Sequence, residues 1–385
     1  MTLRQGKTVS IIFATLLVTV AIGGYFIARS AQQAVLDSRS GSVSEVILDP
    51  AAPGFRAFTD ATPTALVAHT SVTRTGSELS GVTILTAADA GIGGSVVTVQ
   101  ATFVSGPTER SLAELFSTRG IDAVVENLAT VSGTGFPNVI VLESSAWTSL
   151  MSELLPLTLS VRTDLVEVTN DGSNIVVPAG TRAFDSSEIE RIVSHQNASE
   201  PSLGLALRQQ EVWRSWISQT AGSEDRLELS EINAGFSSLI DALASGEVSY
   251  RTIPTSTLSS GSAQDTRYLA QRDQILDLFA QIVPFPVEVV PGSRPAVLLL
   301  DATSGSVDRS DFVELITRSG GRVTILGNVD EEVDAVNRVQ LHDPAGGDIA
   351  ELIANELGVG QVEVVLLDDA TTAVTVIMGS APASS

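Results

Sequence analysis

Cysteine is absent from the 385 residues, lysine occurs once, as Lys7, and histidine three times, as His69, His195 and His342. Without cysteine there is no disulfide, no thiol nucleophile and no thiolate metal ligand. One lysine at the N-terminal tip removes Schiff-base chemistry, a phosphate-loop lysine and a lysine general base from the rest of the chain. The histidines are far apart and in no metal-ligand spacing, so they read as isolated surface or loop residues. Positive charge is scarce as well: 22 basic residues face 45 acidic ones, a formal net of −23. Such a surface repels nucleic acid and other polyanions, and no run of basic residues in the sequence offsets it. No Gly-x-Ser-x-Gly elbow and no zinc signature occur, and Gly91-Ile-Gly-Gly94 joins two strand patterns without opening a helix.

One long apolar run is present. Val9 to Ala28 is 20 residues without a charge, long enough as a helix to span a hydrocarbon core of about 30 Å. It exceeds a signal-peptide core and lacks a small-residue cleavage site, so it reads as an uncleaved anchor. Arg4 and Lys7 precede it and no acid appears before Asp37, which puts the N-terminus in the cytoplasm and the bulk outside. Removing Arg4, Lys7 and Arg29 leaves 19 basic residues against 45 acids outside, about −26.

Composition then divides the chain into a cytoplasmic tip and transmembrane helix (1–30), a juxtamembrane linker punctuated by Pro50, Pro53 and Pro63 (31–64), a larger extracytoplasmic domain (65–284), a smaller one (285–380) and a tail (381–385). In the larger domain, β-branched runs at 65–72, 80–86 and 95–104 predict three successive strands. Ser111-Leu-Ala-Glu-Leu-Phe and 120–128 have helical spacing, Asn138–Leu142 and Leu157–Val161 read as strands, and 146–154 as a helix. Asp185 with Glu188, or Ser187 with Glu190, offers a capping box for a helix over 188–193. A long helix follows over 205–218, with Val212, Trp213, Trp216 and Ile217 as an apolar face. In the smaller domain, strand 295–301, helix 308–319 and strand 322–328 predict a βαβ unit, followed by strand 336–342, helix 347–357 and strands 362–367 and 373–378. The fold class is therefore α/β, an α/β/α domain followed by a small α/β module.

The order of these elements, with Val177-Pro-Ala-Gly-Thr-Arg-Ala-Phe-Asp185 and Arg208-Gln-Gln-Glu-Val-Trp213, resembles the LytR-CpsA-Psr family over roughly 79–284. The smaller domain resembles the LytR C-terminal domain, although its usual Asn-Gly-Thr opening stands here as Asp301-Ala-Thr-Ser-Gly. The resemblance implies a membrane-anchored envelope protein. Active members are phosphotransferases that move glycopolymers from polyprenyl pyrophosphate carriers onto peptidoglycan, with a buried lipid pocket, arginines around the pyrophosphate and often magnesium. That chemistry needs guanidinium forks or metal to stabilise developing phosphate charge.

The family's arginines are missing at several matching positions. Gln100-Ala101-Thr102 stands for its Pro-Arg-Asp, Ser194 and Gln196 for its Arg-x-Arg, and Ser202 and Leu205 for its Asp-x-x-Arg, while Arg208, Gln209 and Gln210 remain. A non-catalytic protein that binds an envelope component, a polyprenyl carrier lipid or a protein partner is therefore the first expectation, with no catalytic residue, no metal and no cofactor. The ligand-binding candidates are Arg208, Gln209, Arg191 and Arg182. A diverged phosphotransferase using Arg182, Arg191 and Arg208, with magnesium, is the alternative, and a structural or receptor-like ectodomain the second. Asp308, Asp311, Asp368 and Asp369 read as solvated acids.

Overall fold

The computed structural model describes residues 47–73, 76–88, 91–169, 172–222, 234–258, 263, 266–330, 336–367 and 371–379. The chain divides into two units, Met1–Asp49 and Pro50–Ser385. Of the first, only Ile47–Asp49 is described, and it is exposed. The anchor expected over Val9–Ala28 lies outside the described residues, and no helix among those described is long and apolar enough to cross a membrane.

The second unit is a mixed α/β structure. Its central sheet has the strand order 248–252, 94–100, 76–87, 64–73, 138–143. The three strands consecutive in sequence run antiparallel, and the outer two each lie parallel to their neighbour. β-branched residues fill these strands, and both faces are covered, as the near-continuous apolar runs require. Alternation sorts the residues. Ala65, Val67, Leu85 and Val96 point to one layer, made of helices Ser144–Met151, Ser186–Ser194, Ser202–Ala221 and Ala234–Ala244. Leu66, Ala68, Val82, Ile84, Val97 and Val99 point to the other, made of Leu112–Arg119, Ile121–Ser132 and Arg272–Ile282. The capping boxes are formed: Ser111 with Glu114 opens one helix and Asp185 with Glu188 another, each satisfying backbone donors that a helix start leaves free.

The smaller module has a six-stranded sheet ordered 56–58, 322–328, 296–301, 374–378, 338–341, 363–364. Strands 296–301 and 322–328 are parallel around helix Arg309–Arg318, the expected βαβ unit. Helix Gly347–Glu356 shares the same core through Ile353 and Ala350, against Ile316 and Val376.

Two expectations are corrected. The stretch 31–64, read as a linker with short ordered pieces, ends as part of the smaller module's sheet: Arg56–Phe58 pairs antiparallel with 325–327. Asn328 Nδ2 donates to the Pro50 and Ala52 carbonyls at 2.9 and 2.7 Å. Gly327 admits the strand, since a Cβ there would lie 2.3 Å from the Phe55 oxygen. The run 362–367 was expected to be a full strand, and only Glu363–Val364 forms a ladder.

Candidate functional site

The matched segments converge on the sheet face covered by Ser202–Ala221. Register places them there. His69, Thr83, Thr98 and Gln100 stand on the same side of their strands as Ala65, Val67, Leu85 and Val96, and all four are buried. Helix Ser202–Ala221 lies over them and answers with polar groups. Gln210 Nε2 donates to Thr98 Oγ1 and to the Arg251 carbonyl, both at 2.8 Å. Gln209 Nε2 donates to Ser80 Oγ at 3.0 Å and to the Val193 carbonyl at 2.9 Å. Ser202 and Thr102 hydroxyls meet at 2.5 Å, and Thr102 donates to the Thr266 carbonyl at 2.7 Å. Gly81 opposes Gln209, and a Cβ there would sit 2.4 Å from Gln209 Oε1. The backbone must come this close for the glutamine to enter.

Arg208 is enclosed. Its Nε donates to the Ile192 carbonyl at 3.2 Å, one terminal nitrogen to Glu200 and the other to the His195 carbonyl. Its side chain is only 11% exposed and that of Glu200 13%. Burial lowers the Arg208 pKa, and Glu200 opposes that shift. The guanidinium thus ties helix Ser202–Ala221 to the end of Ser186–Ser194. Arg182 is also engaged: both terminal nitrogens reach the Glu188 carboxylate, and the guanidinium lies 4.0 Å from the Phe184 ring centroid. That bond is the main reason the Glu188 pKa is lowered. Arg191 is exposed in the last turn of its helix, where a cation suits the helix dipole. Its side chain makes no hydrogen bond or ion pair among the described residues.

Behind this polar belt the sheet-to-helix space is filled by rings. Trp147 packs at a tilt against His69, 4.6 Å between centroids, and against Trp213 at 5.2 Å, and Trp216 meets Trp213 edge-on at 5.6 Å. All three indoles are buried, as expected of an apolar helix face. His69 corrects the surface reading of the histidines. It is 1% exposed, with Nε2 2.8 Å from Thr83 Oγ1, and burial lowers its pKa to about 3. A strand position between Ala68 and Thr70 carries it inward, and a neutral imidazole fits among indoles. His195 and His342 do contact the structure, through the Val166 carbonyl at 2.9 Å and through the Val365 carbonyl and Thr375 Oγ1, both at 2.9 Å. Several polar atoms on the same face have no partner among the described residues: His69 Nδ1, Gln100 Oε1, Gln209 Oε1, Trp213 Nε1 and Trp216 Nε1.

In front of Arg208 lies an open cleft of about 540 Å³, with Arg162, Asn197, Glu200, Gln210, Glu211 and Arg214 in its lining. Arg162, in the turn after strand Leu157–Val161, and Arg214, on the helix, were not singled out in the sequence. Arg214 pairs with Glu211 at 3.3 Å and lies 4.1 Å from the Tyr250 ring centroid. Arg162 is brought there by the antiparallel pairing of Leu157–Val161 with Gly180–Phe184, two strands separated in sequence by strands 165–169 and 172–177, which no local pattern announces. Magnesium finds a poor donor set here. Glu200 and Glu211 are held by arginines, Asp164 accepts from the Ala179 amide at 2.7 Å, and among the described residues no three His, Asp or Glu side chains converge.

No family model and no curated protein matches the chain. Its fold is similar to solved structures of TagT from B. subtilis (14% identity, 63% of this chain and 93% of that one, TM-score 0.45) and TagV from B. subtilis (11%, 57% and 96%, 0.45). Another similar structure is the LytR-CPS2A-psr family protein YwtF (TagT) with bound octaprenyl pyrophosphate lipid (13%, 63% and 92%, 0.43). Identities of this size assign no residue a role.

Proposed function

We propose that this chain is a membrane-anchored, extracytoplasmic envelope protein of LytR-CpsA-Psr-like plan that binds an envelope component or protein partner and does not transfer phosphoryl groups. One observation carries the reading: the retained Arg208 and Gln209 hold a helix onto the sheet, and the space beside them is filled by three tryptophans and a neutral histidine. Phosphoryl transfer needs cations whose donors are free to meet developing charge. Here Arg182 and Arg208 already hold carboxylates. The open cleft beside Arg208, with charged and hydroxyl groups of both signs, is the place where a polar envelope component would bind.

The purified full chain, incubated with magnesium and a polyprenyl-pyrophosphate-linked glycan, is expected to release no lipid pyrophosphate or phosphate. Lipid extraction followed by mass spectrometry is expected to find no polyprenyl carrier. The cleft also brings Arg162, Arg208 and Arg214 together, which favours a diverged phosphotransferase as the second reading. Turnover that disappears when Arg162 and Arg214 are replaced together by glutamine, with the thermal midpoint unchanged, would establish that alternative.

A further inference from the structure

The smaller module presents an uncovered sheet edge. Val364, Val365, Leu366 and Leu367 are 63%, 38%, 59% and 55% exposed. Successive residues of an extended segment point to opposite faces, so this edge is bare on both. The segment is anchored on one side: the Val365 amide donates to the Leu341 carbonyl at 2.9 Å, the Leu367 amide to the His342 carbonyl at 3.2 Å, and His342 Nδ1 lies 2.9 Å from the Val365 carbonyl. Leu366, between them, makes no backbone hydrogen bond among the described residues. Four adjacent apolar side chains on an edge without lysine or proline form what isolated proteins normally avoid or use for pairing. The opposite edge is the three-residue strand Arg56–Phe58.

Charge identifies the occupant. From Pro295 to Gly379 the sequence has fifteen acids against four arginines, a net of −11. Three of those arginines are already paired, Arg309 with Asp301, Arg318 with Glu356 and Arg322 with Glu288. Glu363 lies in the edge itself, and Glu351 lines the same groove as Val364. A second copy would bring like charge against like charge. We infer that residues 362–367 dock an extended segment of another protein, apolar at alternate positions and flanked by cations, which adds a strand to this edge. The ladder supplies affinity, the valine and leucine side chains select apolar partners, and the acidic surround rejects anionic ones.

The test uses the full chain and a fluorescent heptapeptide of alternating valine and threonine with lysine at both ends, beside the same peptide ended by glutamate. The lysine-ended peptide should bind at least about tenfold more tightly than the glutamate-ended one, a difference that shrinks at about 1 M salt, where the Debye length is ~3 Å. Val364→Lys with Leu366→Lys should weaken binding at least about tenfold and leave the thermal midpoint unchanged, because both side chains are exposed. Methylating the peptide amides that face Leu366 should abolish binding, whereas methylating the alternate amides should not. Equal binding of the two peptides, or unchanged binding by the double variant, overturns the proposal. So does concentration-dependent dimerisation that the double variant abolishes, which would assign the edge to a second copy of this chain. None of these outcomes depends on whether the chain transfers phosphoryl groups.

Discussion

The two faces of the central sheet are made by alternate residues of the same strands, yet they are built differently. The face toward Ile121–Ser132 and Arg272–Ile282 is largely apolar and closed by Leu128, Ile275 and Phe279. The face toward Ser202–Ala221 buries His69, Thr83, Thr98, Gln100, Gln209 and Gln210, several of them with an atom unpartnered among the described residues. A buried polar atom left unpaired costs about 1–3 kcal/mol. Apolar packing therefore dominates one face, where Thr64 and Thr86 are buried polar strand residues, whereas the other keeps a larger polar arrangement at the cost of stability. Here the polar groups fasten a helix and surround indoles.

Truncation tests how firmly each face is packed. Trp213→Ala is expected to lower unfolding free energy by about 4 kcal/mol in urea titration, about as much as Phe279→Ala on the opposite face. A loss near zero for Trp213→Ala would mean that the ring cluster is loosely packed and the space beside it can open. Next in size is Arg208→Leu. If Arg208 is a structural tie, leaving Glu200 buried and unpaired should cost about 3 kcal/mol, and Glu200→Leu in the same chain should restore much of it. An Arg208 reserved for a ligand would give a small change and no such coupling.

The smallest effect is one of pH. His69 has its folded pKa depressed to about 3 from an ordinary 6.5, so below pH 6.5 the unfolded chain binds the proton that the folded chain refuses. Its contribution is complete above that pH and is lost as pH falls from 6.5 toward 3, by about 1.4 kcal/mol at pH 5.5. Urea midpoints measured at pH 7.5 and 5.5 should show this loss in the parent chain. His69→Phe should lack this contribution, and an unchanged pH dependence in that variant would remove His69 from the account.

Much of the scaffold was legible because its signals are local. Ser111-x-x-Glu114 and Asp185-x-x-Glu188 are capping boxes in the sequence and in the structure. The strand 322–328 has the expected bounds. The helix face Trp213, Trp216 and Ile217 was likewise readable from spacing. The misses are long-range. Nothing near His69 predicts a ring from 147 and another from 213 closing over it. The pairing of Arg208 with Glu200 needs a turn between two helices, and Arg162 reaches the same cleft only through the register of two strands that are not neighbours in sequence. Helices Ala234–Ala244 and Arg272–Ile282 were not read at all; they cover the central sheet from opposite sides. The β-branched run 362–367 reads as a strand, but a strand also needs a partner on each side to extend its ladder.

The antiparallel pairing of Arg56–Phe58 onto the small sheet has a consequence for biosynthesis. Arg56 and Asn328 are 272 positions apart, so at roughly 5–20 residues per second the early strand leaves the ribosome about 15–50 s before its mate exists. During that interval residues 50–58 have no ladder to join, and the module cannot mature as a self-contained C-terminal fragment. A gene fragment beginning after residue 290 would yield a sheet that lacks this strand. A polypeptide stopped before residue 322 would leave the nascent segment unpaired and available to the quality-control proteases that survey unfinished chains.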